Sequence, residues 1–230
     1  MHVLHQFDDS NVLNQDFAKR LVNILTDAIA QRDAAYLVVS GGRTPQALFK
    51  TLAATPLAWE KVTILLADDR YLPIDSEQSN ERLVKATLLQ EFAAKATFVS
   101  LYAPADDAFA AIPEILARVE ALPCFDAVIL GMGEDGHTAS LFPCSAQLSL
   151  GLSDTAPVVL ATEPTTAPFQ RISLSKARLM HSRHIFLHLV GENKFPVLQQ
   201  ALENTDPMHM PISAFLHHPA LCVDVMYSPK

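Results

Sequence analysis

One pattern constrains this chain more than any other. Short aliphatic and β-branched runs that do not alternate with polar residues are separated by stretches long enough for a helix. The runs fall at Tyr36–Ser40, Lys61–Ala67, Thr97–Leu101, Phe125–Leu130, Pro157–Ala161, Arg171–Leu174, His184–Val190 and Leu221–Met226. A strand with apolar residues on both faces must be covered on both faces, which is the signature of a parallel sheet with helical crossovers. Phe17, Leu21, Ile24 and Ala28 recur at helical spacing. Further helices are predicted after Pro45, from Ser79–Asn80, through Pro113–Leu122 and through Glu192–Glu203. The expected fold is a doubly wound α/β domain spanning residues 1–230, with a mostly parallel sheet and helices on both faces. Half of the 230 residues are apolar, enough to exclude a disordered chain.

Charge and cysteine content narrow the chemistry. Seventeen basic against twenty-five acidic side chains give a net charge of −8, which argues against a nucleic-acid partner held by bulk electrostatics. Cys124, Cys144 and Cys222 are odd in number and lack CxxC spacing, so neither a disulfide framework nor a zinc ribbon is expected. His184 and His188 share a face of one run, but no third ligand stands at useful spacing, and no metal is expected. The first residues lack a signal-peptide pattern, and no apolar run reaches membrane-spanning length. The expectation is a cytoplasmic protein with no membrane partner.

In doubly wound folds ligands bind beyond the carboxyl ends of the strands, so the residues just after each run are the informative ones. After the first comes Gly41-Gly42-Arg43-Thr44-Pro45, where glycines allow close backbone approach, the next helix offers free N–H groups, and Arg43 adds a cation. This suits a phosphate. After the second come Asp68, Asp69 and Arg70. After Phe125–Leu130 comes GMGEDGHTASLFP, in which Gly131, Gly133 and Gly136 form a formal GxGxxG. A dinucleotide fingerprint opens a long helix; here Pro143 comes soon after and no acidic residue ends a strand about 20 residues on, so no nucleotide cofactor is expected. His137 is the better focus, since an imidazole can take and return a proton near neutrality. Asp135 and Asp68 are both candidates to orient it. Arg171 and Lys194 are further cations near element starts.

Together these segments resemble the 6-phosphogluconolactonase family, within the wider sugar-phosphate isomerase/deaminase superfamily. The resemblance runs in order from Ser40 to about Leu216, through Asp68-Asp69-Arg70, Ser79-Asn80, Gly131–Pro143, Arg171-Ile172-Ser173, Gly191–Lys194 and Pro211–Ala214. It implies hydrolysis of 6-phospho-D-glucono-1,5-lactone in the oxidative pentose phosphate pathway. His137 would then be the general base, Asp135 or Asp68 its support, and Gly41, Gly42, Arg43, Arg70, Arg171 and Lys194 the phosphate and substrate contacts. Two positions depart from the family: Asp69 stands where glutamate is usual, and Arg43 where serine is common. The deaminase branch carries a segment ending Asn-Glu-Pro after its histidine. Here Leu141-Phe142-Pro143 stand instead, and phenylalanine cannot transfer a proton. A glucosamine-6-phosphate deaminase-like enzyme or sugar-phosphate isomerase, and a non-catalytic sugar-phosphate sensor, are the competing readings. The oligomeric state is not legible.

Overall fold

The computed structural model describes all 230 residues. The chain begins with β1 (His2–Gln6) and α1 (Ser10–Arg32). Asp9 caps α1 by accepting the N–H groups of Asn11 and Val12, and Asp33 ends it in a left-handed conformation with φ 59°. Next come β2 (Ala35–Val39), α2 (Gln46–Ala53), β3 (Val62–Leu66), β4 (Asp68–Arg70), α3 (Asn80–Thr87) and β5 (Thr97–Val99). After α4 (Ala108–Val119) come β6 (Phe125–Leu130), α5 (Leu148–Leu152), β7 (Val159–Thr162), β8 (Arg171–Leu174) and α6 (Lys176–Met180). The chain closes with β9 (Ser182–Val190), α7 (Lys194–Glu203), α8 (Ser213–Leu216) and β10 (Val223–Ser228).

Seven strands form one sheet in the order β1-β10-β9-β6-β2-β3-β5, and every pairing is parallel. Right-handed crossovers place helices on both faces. Phe17 of α1 packs on Phe186 and His188 of β9 on one face, while Phe195 of α7 meets Tyr227 of β10 on the other. From β2 the chain winds outward through β3 to β5, then returns to β6 on the opposite side of β2. The order therefore reverses between β2 and β6, which opens a crevice beyond their carboxyl ends.

Three differences from the sequence expectation have physical reasons. The runs at Pro157–Ala161 and Arg171–Leu174 do not join the main sheet; they form a small antiparallel sheet, β4-β8-β7, with the Asp68–Arg70 segment. Strand β1 lies outside the expected set, because it is an edge strand with largely exposed side chains and carries no buried pattern. Helix α4 starts five residues before Pro113, capped by Asp107, and tolerates the proline inside it. Burial of Ala108, Ala111, Ile115 and Val119 outweighs the one missing hydrogen bond.

Candidate active site

Five segments bring the proposed residues to the crevice: the loop after β2, strands β4 and β8, the loop after β6, and the start of α7. The cavity they enclose has a volume of about 230 Å³ and is lined by Arg43, Asp68, Arg70, His137, Arg171 and Lys194, among others. Every residue proposed from sequence lines it except Asp135, which stands directly behind the histidine.

The loop after β2 is shaped by two different demands. A Cβ on Gly41 would lie 2.0 Å from Asn80 Oδ1, so this glycine exists to let α3 close on the loop. Gly42 has open space around it but φ of +96°, so its demand is conformational. The backbone N–H groups of Gly41, Gly42, Arg43 and Thr44 donate to no acceptor within the chain, and Arg43 is exposed beside them. The result is a row of free donors at the start of α2, the arrangement that binds anions.

Strand β4 sorts its residues by the two-residue period. Asp68 and Arg70 face the crevice, and Asp69 faces away. Asp69 is buried and takes hydrogen bonds from the backbone N–H groups of Arg70 (2.7 Å), Asn80 (2.7 Å) and Glu81 (2.9 Å) and from Ser79 Oγ (3.2 Å). Burial pushes its carboxyl up to about 6, against the pull of those backbone donors. It anchors α3 and does not touch the guanidinium of Arg70, which donates to Gln78 O at 2.7 Å. The shorter carboxylate at this position therefore leaves the Arg70 head group to the loop. Antiparallel pairing sets Arg70 directly opposite Arg171. Like charges opposed across a ladder repel, and the Asp68 carboxylate offsets that repulsion at Arg171. Arg171 is only 6% exposed, donates to Pro168 O and is lowered in pKa mainly by that burial, with Asp68 pulling the other way.

After β6 the chain does not enter a helix, which is why the formal GxGxxG is no dinucleotide site; the next helix waits until Leu148. Instead residues 131–142 fold into a compact turn. Asp135 Oδ1 lies 2.5 Å from His137 Nδ1 and also accepts the His137 backbone N–H at 3.1 Å. Burial raises the Asp135 carboxyl, but the hydrogen bond and charge of His137 outweigh it and hold the group below the usual carboxylate range. Bonding at Nδ1 leaves Nε2 as the open nitrogen. A Cβ on Gly133 would lie 2.1 Å from His137 Nδ1, so only glycine admits this folded-back pair. Of the two candidate carboxylates, Asp135 meets the ring. Asp68 accepts from Ser140 Oγ at 2.5 Å and, through its backbone oxygen, from Asn80 Nδ2.

Lys194, the first residue of α7, reaches back to donate to Met132 O at 2.9 Å, which fixes its ammonium at the far wall. Several participants escape sequence reasoning. Phe142 stacks on the His137 ring with centroids 4.0 Å apart. Ser140 and Ser173 form a buried polar chain behind Asp68. His188 lines the crevice floor, buried, with neither ring nitrogen bonded. Ser140 and Phe142 lie in the DGHTASLFP stretch and Ser173 in Arg171-Ile172-Ser173, while His188 stands out only beside His184; the contacts of all four are what the sequence leaves unread. His184, four residues along the same strand, is exposed, so the two histidines share no site.

Residues 8–223 match the family model described as glucosamine-6-phosphate isomerases/6-phosphogluconolactonase. A 6-phosphogluconolactonase from Pseudomonas putida is 39% identical over 228 residues, covering 98% of this chain and 93% of that protein. The crystal structure of a 6-phosphogluconolactonase from Shewanella baltica superposes with a TM-score of 0.97 at 44% identity, covering 99% of this chain and 98% of the other. A monomeric glucosamine-6-phosphate deaminase, at 19% identity and a TM-score of 0.78, shares the fold. The chain thus belongs to the glucosamine-6-phosphate isomerase/6-phosphogluconolactonase family, and within it stands beside lactonases along almost its whole length.

Proposed function

We propose that this protein hydrolyses 6-phospho-D-glucono-1,5-lactone to 6-phospho-D-gluconate, a step of the oxidative pentose phosphate pathway, with His137 as general base. One observation carries the mechanism: an imidazole pinned at Nδ1 by Asp135 and open at Nε2, inside a crevice rimmed by Arg43, Arg70, Arg171 and Lys194. Nε2 takes a proton from water as its oxygen bonds to the lactone carbonyl carbon. The tetrahedral oxyanion then collapses, the bond to the ring oxygen breaks, and the imidazolium returns its proton to that oxygen. The ring opens to the acid. Asp135 holds the tautomer and offsets the charge that His137 gains. The opposed arginines, Lys194 and the free N–H groups of Gly41 and Gly42 hold the phosphate dianion. Residues 1–230 act as one α/β domain in this reading, with a small sugar-phosphate lactone as its substrate.

The test is His137→Asn, assayed by forming the lactone from glucose 6-phosphate and following 6-phosphogluconate. Turnover should fall by about two to four decades with KM little changed. Wild-type turnover in this variant, after subtraction of spontaneous hydrolysis, removes His137 from the mechanism. The deaminase alternative is disfavoured by Phe142, which occupies the place of a proton-transferring glutamate; release of ammonia from glucosamine 6-phosphate would revive it.

A further inference from the structure

The Phe142 ring serves two groups of the site at once. Its face stacks on the His137 imidazole at 4.0 Å with planes 24° apart, and the Arg171 guanidinium carbon lies 5.6 Å from the same ring. Only 5% of Phe142 is exposed, whereas the His137 side chain is 29% exposed. The phenyl ring is thus the buried partner and the imidazole the more exposed one.

The turn that delivers Phe142 is held from every side. Ala139 adopts φ +47°, a left-handed conformation that costs a non-glycine residue energy and persists only where its surroundings over-determine it. Those surroundings are visible. Thr138 Oγ1 donates to Gly131 O, and Leu141 N–H closes back on Thr138 O. Ser140 donates through Oγ to Asp68 and through N–H to Ser173 Oγ, and its carbonyl accepts from Thr162 Oγ1. The turn is bonded to the end of β6 and to all three strands of the small sheet.

The imidazole is held covalently at Cγ and by Asp135 at Nδ1, and coupled rotation about Cα–Cβ and Cβ–Cγ still lets the Nε2 edge swing. A face-to-face contact removes the swing. We propose that Phe142 is a positioning residue: it fixes the plane of the His137 ring so that the Nε2 lone pair points at the water and the lactone carbon. Through its second contact it keeps that plane in register with Arg171. The proposal rests on the lactonase reading of the site.

Nuclear magnetic resonance on the unliganded protein tests the contact without any substitution. The carbon-bound ring protons of His137, assigned with His137→Asn, should be shifted upfield by the phenyl ring current. Their absence from the upfield region overturns the stack. Phe142→Leu keeps an apolar filler but removes the face. It should lower kcat by up to about tenfold and leave KM within about twofold, since a stacked aromatic pair is worth at most about one decade beyond its burial. Phe142→Tyr keeps the face and should restore kcat to within about threefold of wild type. Unchanged kcat in Phe142→Leu, equal loss in both variants, or a loss confined to KM each overturns the proposal. Failure of the underlying reading looks different: the wild-type protein then does not accelerate lactone opening at all, while the ring-current shift persists.

Discussion

Two buried residues, one at the floor of the crevice and one behind its wall, carry opposite acid–base burdens. Burial drives His188 down to about 4, with no partner on either ring nitrogen to offset it. Below pH 6.5 the unfolded chain takes a proton at this histidine that the native state refuses, so its share of stability is full above 6.5 and lost as the pH falls through 4. Asp69 runs the other way. Its carboxyl is raised to about 6, so the native state holds a proton more readily than the unfolded chain, and stability falls as the pH rises between roughly 4 and 6. The two oppose each other in one window. His188→Leu should therefore gain stability at pH 5 relative to pH 7, compared with wild type, by about 2 kcal/mol. Urea midpoints at the two pH values measure this, and equal pH dependence in both proteins would contradict it.

At the scale of elements, the segment after β6 shows how glycines of one motif can differ in purpose. A methyl on Gly133 would collide with the His137–Asp135 pair, whereas one on Gly131 would meet nothing within 4 Å, and Gly131 has no positive φ. Gly133→Ala should cost about two decades in kcat, because an ångström of misplacement at a reacting group has that effect, and Gly131→Ala should stay within about threefold. Parallel kinetics on the two variants decide it; similar losses in both would show that the loop responds to any added carbon. The small antiparallel sheet is the other element with a functional consequence. It turns a charged triplet that reads as loop into a strand, sends Asp69 to anchor α3 and opposes Arg70 to Arg171.

For the whole molecule, the arrangement resolves a conflict of charge. The chain is acidic overall, yet cations from the β2 loop, β4, β8 and α7 converge on one cavity. Arg171→Ala and Lys194→Ala should each raise KM about tenfold or more with kcat changed less than threefold, as for lost charge-assisted contacts to a phosphate. Unaltered KM in both would place the phosphate elsewhere. No helix is long and apolar enough to cross a membrane.

The parallel sheet is legible because burial on both faces leaves unbroken apolar runs, as at Ala127–Leu130, where every residue is buried. His137 and its glycine-rich turn are legible because tight local geometry demands particular residues in consecutive positions. Strand β1 is silent, since an exposed edge writes no pattern. The pairing of side chains is silent too, whether the partners are near or far in the chain. Asp135 rather than Asp68 holds the imidazole, Phe142 lies flat against it, Arg70 faces Arg171 across a ladder, and His188 lies unpartnered at the crevice floor. Covalent neighbours and periodicity determine which segments become strands and which loops carry the chemistry. Which side chains then meet depends on strand order and register, and those are settled only when the sheet closes on its helices.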